Sequence, residues 1–145
     1  MYCSLVDDVT LAGTTVIHIP LYSSTVPAGF PSPADDYVED ALDLNGYLVK
    51  RPSATFMVRA HGTSMIEAGI QDKALLIVDR SIKPRHGDIV IAALDGRFTC
   101  KRLDLRRRAL CSTNPGAEPI VISEGDELQI FGVVVHVVNT LCSHS

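Results

Sequence analysis

The sequence contains no tryptophan, and only four phenylalanines and four tyrosines among its 145 residues. Any core must therefore be filled by Val, Ile, Leu and Ala. No apolar run reaches the ~18 residues of a membrane-spanning helix. Residues 1–28 lack Lys and Arg but carry Asp7 and Asp8, so the N-terminus does not read as a secretory signal peptide. A cytoplasmic location with reduced thiols is the expectation. The four cysteines, Cys3, Cys100, Cys111 and Cys142, form no C-x-x-C and share no spacing with paired histidines, which argues against a zinc site. No metal or other cofactor is expected. A formal charge of −4 offers no overall electrostatic grip on nucleic acid.

What is present is an ordinary folding composition, 46% hydrophobic and 21% charged, in a length that suits one core. The charge is segregated. Asp35, Asp36, Glu39, Asp40 and Asp43 cluster in one stretch, and nine of the thirteen basic residues fall between Arg80 and Arg108. Residues 14–25, TTVIHIPLYSST, suit an extended arm or an edge strand, because Pro20 cannot donate to a ladder. VPAGFPSP follows as a linker or exposed bend. Ser32-Pro33 reads as a helix start, with Tyr37, Val38, Ala41 and Leu42 as its apolar stripe and Asn45-Gly46 as its end.

From Ala54 onward the pattern is β. ATFMVRA, ALLIVDR, DIVIAAL, RFTCKRL, ALCST, PIVIS and ELQIFGVVVHVV give seven strand candidates in about ninety residues, a compact, mainly β body. Asp95-Gly96 is a two-residue hairpin signal.

Two places could carry chemistry. In His61-Gly62-Thr63-Ser64-Met65, a strand runs into a glycine bend and then a short helix-like turn. Ser64 at that junction either N-caps the turn or serves as a nucleophile among unpaired backbone amides. In RFTCKRL, alternation puts Thr99, Lys101 and Leu103 on one face. A two-residue turn at Asp95-Gly96 sets Lys101 opposite Val90, with Ala92 and Asp88 on the diagonals. Lys101 either snorkels to the sheet edge or is a desolvated amine, which is disfavoured in its charged form. A serine at a bent strand end and a half-buried lysine on a hairpin are the parts of a Ser–Lys dyad. The histidines suggest no alternative base: His61 is close to Ser64 in sequence but has no nearby acid placed to orient its ring, and solvated or packed roles account for all five.

Several segments, in order, resemble the UmuD family, the short members of the LexA/UmuD group of self-cleaving Ser–Lys peptidases. They are AGFPSPADDYVE (28–39), LDLN (42–45), RPSATF (51–56), GTSM (62–65), LLIVD (75–79), HGDIVIA (86–92), DGRFTCKRL (95–103) and FGVVVHVV (131–138). The resemblance implies a LexA/UmuD-like β-body of about seven strands, with one short N-terminal helix and an extended N-terminal arm. It implies Ser64 as nucleophile, Lys101 as general base, and the Thr63 and Ser64 amides as oxyanion hole. The cleaved bond would be Ala28–Gly29, dividing the chain into an arm, 1–28, and a peptidase and polymerase-accessory domain, 29–145. A tethered substrate has a high effective concentration, so a weak site can still turn over once.

In this family cleavage is a switch in the SOS response to DNA damage. The implied partners are a RecA–single-stranded-DNA filament that favours the cleavage-competent conformation, a second copy in a homodimer, and a UmuC-like Y-family polymerase for translesion synthesis. No sequence-specific DNA contact is implied. The chain departs from the family in having His61-Gly62-Thr63 where an acid commonly precedes the nucleophile. Arg106-Arg107-Arg108 forms a basic turn, either solvated or a partner contact. Two other readings remain: a catalytically silent β-module that binds a polymerase, and a LexA- or prophage-repressor-like peptidase domain without its DNA-binding domain. Twenty-eight residues before the scissile bond cannot hold a helix-turn-helix domain.

Overall fold

The structure, a computed structural model, describes residues 1–5, 16–22, 38–125 and 128–144. The chain divides into two compact units, Met1–Val9 with Arg51–Ser145, and Thr10–Lys50.

The larger unit is built from antiparallel strands β1 (Tyr2–Leu5), β4 (Thr55–His61), β5 (Leu75–Asp79), β6 (Ile89–Leu94), β7 (Arg97–Asp104), β8 (Ala109–Cys111), β9 (Ile120–Val121) and β10 (Leu128–Val138). Their order is β1-β4-β5-β10-β6-β7-β8-β9, and β1 also pairs with β7. The sheet thus closes on itself through six strands, with β8 and β9 continuing beyond β7. The β1–β7 pairing covers the edge that β1 would otherwise expose.

All seven strand expectations hold: each segment carries β-branched residues between turns, and β5 and β6 are buried at consecutive residues, on both faces. Asp95 and Gly96 both take positive φ, 52° and 80°, as a two-residue primed turn requires. That turn fixes the β6–β7 register, with Val90 opposite Lys101 and Ala92 opposite Thr99.

The two faces of β6 and β7 serve different cores. Ile91 and Cys100 join Cys3, Val58, Ala60, Met65, Ile70, Leu76 and Val78 in one buried cluster. Val90, Ala92, Leu103, Leu110 and Val133 form a second cluster, on the face that carries Lys101.

The second segment of the larger unit is tied at its start to the end of β5. Arg51 donates to Asp79 Oδ2 at 2.9 Å, and Ser81 N donates to Asp79 Oδ1 at 2.8 Å. The Ser81 hydroxyl, above all, and then the Ser81 amide and the Arg51 guanidinium hold this buried carboxyl below the usual carboxylate range.

In the smaller unit β2 (His18–Tyr22) pairs with β3 (Val38–Asp43), Pro20 lying opposite Ala41, and a helix α1 follows over Leu44–Leu48. The edge-strand reading of the Pro20 segment holds. The helix reading does not. Residues 32–37 lie outside the described residues, Val38–Asp43 is a strand, and Asn45-Gly46 sits inside α1 instead of ending a longer helix. A short acidic segment gains little from helix propensity alone. Pairing with β2 offers ladder hydrogen bonds that such a helix would have to match by packing.

One strand carries no signal in the sequence. Tyr2–Leu5 lies antiparallel to β4, from Tyr2 opposite His61 to Leu5 opposite Val58. Four residues of Tyr-Cys-Ser-Leu are too few to show a period, and their partner is more than fifty positions away.

Candidate active site

Strand β4 ends at His61, and Gly62, at φ 96°, turns the chain out of the sheet. The bend is pinned by the Gly62 amide, which donates to Asp72 Oδ1 at 2.8 Å. A 3-10 turn follows over Ile66–Ala68, closed by Gly69 in the left-handed conformation, φ 86°. Fully buried Met65 and Ile70 anchor its two ends. Asn139, just beyond β10, donates to the Gly69 carbonyl at 2.8 Å and accepts from the Gln71 amide at 3.2 Å. Ser64 therefore sits on a segment stitched to Asp72, ahead of β5, and to Asn139, just past β10.

The capping role for Ser64 is not what the structure contains. The N-cap position of the turn is Met65, with no side-chain cap. Ser64 Oγ is buried and has no hydrogen-bond partner among the described residues. A buried hydroxyl without a partner costs on the order of 1–3 kcal/mol. That is an expensive arrangement for a residue with no further use.

Lys101 is 8% exposed, so its side chain does not snorkel to the sheet edge. Its Nζ donates to Ser112 Oγ at 2.7 Å. The contact follows from register: Arg102 pairs with Cys111 across β7 and β8, which sets Lys101 opposite Ser112. The next residue, Thr113, reaches the other functional group. Its amide donates to the Ser64 carbonyl at 3.0 Å, and its hydroxyl donates to the same oxygen at 3.3 Å. The dipeptide Ser112-Thr113 thus holds Lys101 by its amine and Ser64 by its backbone. Thr63 and Ser64, whose amides are the expected oxyanion donors, lie in this same bend, whereas Ala28 and Gly29 lie outside the described residues.

β1 borders the site from the remaining side. The Met1 carbonyl accepts from Cys100 N at 3.1 Å and from Thr99 Oγ1 at 2.8 Å. Burial, and then the adjacent Lys101 amine, push the Met1 α-amine down to about 6. Cys3 and Cys100 are both buried. The hydrogen bond between their sulfurs holds Cys3 below, and Cys100 above, the ordinary thiol range. Cys3, Cys100 and Cys111 are free thiols.

The histidines take other partners. His61 Nε2 lies 2.9 Å from Ser4 Oγ, and its ring packs on Tyr2 at 5.1 Å. His86 Nδ1 accepts from Leu105 N at 3.2 Å. The basic turn is exposed and organised by Asp104, whose Oδ1 accepts from the amides of Arg106 and Arg107, each at 3.0 Å. Those bonds, the Arg107 amide first, hold the Asp104 carboxyl below the usual range. Among the described residues no group of three His, Cys, Asp or Glu side chains could hold a metal ion. No helix among them is long and apolar enough to cross a membrane.

A serine freed of local hydrogen bonds and a buried lysine, both clasped by one strand end, are parts found in a peptidase site. Residues 20–135 match the Peptidase S24-like family, and the chain belongs to it. Its relatives place it in the UmuD-type, SOS-mutagenesis branch of that family. It is 52% identical to the protein ImpA of Salmonella typhimurium over 126 residues, 83% of each chain. It is 40% identical to the protein MucA of Escherichia coli over 134 residues, 90% of this chain and 92% of MucA. It is 34% identical to the LexA repressor of Caldicellulosiruptor saccharolyticus, across 94% of this chain and 66% of the repressor.

Proposed function

We propose that this chain is a self-cleaving serine peptidase that cuts its own Ala28–Gly29 bond with a Ser64–Lys101 dyad. The observation that carries this reading is the pairing of a buried, unpartnered Ser64 hydroxyl with a buried Lys101 amine on one shared support. In its neutral form the amine takes the Ser64 proton as Oγ attacks the Ala28 carbonyl. The Thr63 and Ser64 amides receive the developing oxyanion. The protonated amine then returns a proton to the leaving Gly29 nitrogen. Water, deprotonated by the same amine, releases the acyl group from Ser64.

The shortened protein acts in the cytoplasm as a homodimer that joins a UmuC-like Y-family polymerase for translesion synthesis. A RecA filament on single-stranded DNA stimulates the cut by binding the arm-docked conformation better than the undocked one. These partners rest on membership of the UmuD-type branch.

The test is incubation of the purified chain at alkaline pH, where more of the lysine amine is neutral, followed by mass spectrometry. The wild type is expected to lose residues 1–28 slowly and Ser64→Ala to stay intact. A wild type that stays whole even with activated filament leaves the β-module without peptidase activity. The bond assignment has its own check. Gly29→Phe is expected to block cleavage, because a bulky side chain beside the scissile carbonyl prevents close approach to Ser64, while circular dichroism stays that of the wild type. Normal processing of Gly29→Phe would place the cut at another bond.

A further inference from the structure

The two residues after β8 take no chemical step in the reading above, yet each touches one of its members. Ser112 Oγ accepts from Lys101 Nζ at 2.7 Å. Thr113 N donates to the Ser64 carbonyl at 3.0 Å. We infer that Ser112 is a positioning residue for self-cleavage, its hydroxyl aiming the Lys101 amine, and that Thr113 holds the Ser64 bend against the same strand end. This deepens the dyad reading and rests on it.

The argument begins with what a lysine side chain lacks. Four methylene groups give Lys101 many rotamers, and Val90, Ala92 and Leu103 on its face of the sheet supply no acceptor for the amine, beside which lies the Met1 α-amine. A neutral amine carries two N–H groups and one lone pair. Catalysis needs that lone pair facing Ser64 Oγ, so an acceptor for an N–H group fixes the rotation about the last C–N bond. Ser112 Oγ is such an acceptor, and it lies directly across the β7–β8 pair.

The hydroxyl serves both protonation states. It accepts from the ammonium after the Ser64 proton has moved, and it accepts from the neutral amine before. Since Ser112 and Thr113 are consecutive, movement of this strand end shifts the lysine and the serine together. Their relative placement is therefore set by one short segment rather than by two independent loops. Placement errors of about 1 Å cost on the order of a hundredfold in rate.

The test compares wild type, Ser112→Ala, Ser112→Thr and Thr113→Pro in the full-length chain. Self-cleavage at alkaline pH is followed by mass spectrometry, Ser64 labelling by a fluorophosphonate, and folding by thermal denaturation. Ser112→Ala is expected to slow cleavage and labelling at least tenfold with an unchanged unfolding midpoint. Ser112→Thr, which keeps a hydroxyl, is expected to restore both to within about threefold of wild type. Thr113→Pro, which removes the donated N–H, is expected to slow cleavage in the fraction that remains folded.

Cleavage by Ser112→Ala at the wild-type rate or faster would overturn the inference while leaving the dyad intact. So would a Ser112→Thr as slow as the alanine variant. A wild type that neither cleaves nor labels would overturn both.

Discussion

Lys101→Met is expected to abolish self-cleavage and to leave the protein at least as stable as the wild type. The first half follows from the proton that Ser64 must lose. Methionine matches the volume and reach of the lysine stem but has no basic atom, and the five histidines provide no substitute: His61, the nearest in sequence, is engaged by Ser4. Removing one member of a nucleophile–base pair costs about a thousandfold or more in rate, which places an already slow reaction below detection. The second half follows from burial. Lys101 lies across from Val90, on the face shared with Ala92 and Leu103. An amine in that setting is retained against a desolvation cost, and an apolar side chain of like shape removes the cost. The loss of the Ser112 hydrogen bond offsets part of the gain, about 1 kcal/mol. Urea denaturation is expected to give a free energy equal to wild type or up to about 2 kcal/mol higher. Mass spectrometry at alkaline pH is expected to show only the intact chain. Cleavage by Lys101→Met would remove the lysine from the mechanism. A variant that unfolds would mean that the lysine is held for packing and hydrogen bonding, not for chemistry.

Much of this site is legible in the sequence because a turn fixes a register. Asp95-Gly96 accepts one backbone geometry, so every pair along β6 and β7 follows by counting, and Lys101 opposite Val90 is a count of five from each side of the turn. The bend at Gly62 and the turn ended by Gly69 are readable for a similar reason, since both glycines supply positive φ. The β7–β8 connection gives no such signal. Leu105–Arg108 is a loop whose closure depends on Asp104 and on a positive φ at Arg108, 51°, neither of which is marked by glycine. The register beyond it is hidden, and with it the contact between Lys101 and Ser112. β1 is hidden because its pairing is remote. Val38–Asp43 is a strand and not the expected helix, because charges near a helix start favour it only through the helix dipole, while a neighbouring strand supplies a whole ladder.

Gly132→Ala should destabilise the fold by about 2 kcal/mol, and Gly132→Val by more. Glycine in a strand interior ordinarily weakens it, and replacement by alanine ordinarily gains about 0.5–1 kcal/mol. The surroundings of this glycine reverse the sign. A Cβ added there would lie 2.7 Å from Val78 Cγ1 and 2.9 Å from the carbonyl oxygen of Asp79. A valine methyl can rotate, but the Asp79 carbonyl belongs to β5 and is held on both sides. Its residue carries the Arg51 and Ser81 bonds and pairs with Thr55 on β4. β10 must also serve two neighbours at once. Its pairing slips between Ile130 and Gly132 against β6 and between Val134 and His136 against β5. Gly132 lies at the first slip, where the backbones approach closely. Relief of the clash must push β10 away from β5, and overpacking of that kind costs about 1–3 kcal/mol. Urea midpoints of the two variants against wild type measure it. A Gly132→Ala protein as stable as wild type would show that the β5–β10 seam yields, and that Asp79 is not the fixed wall its bonds describe.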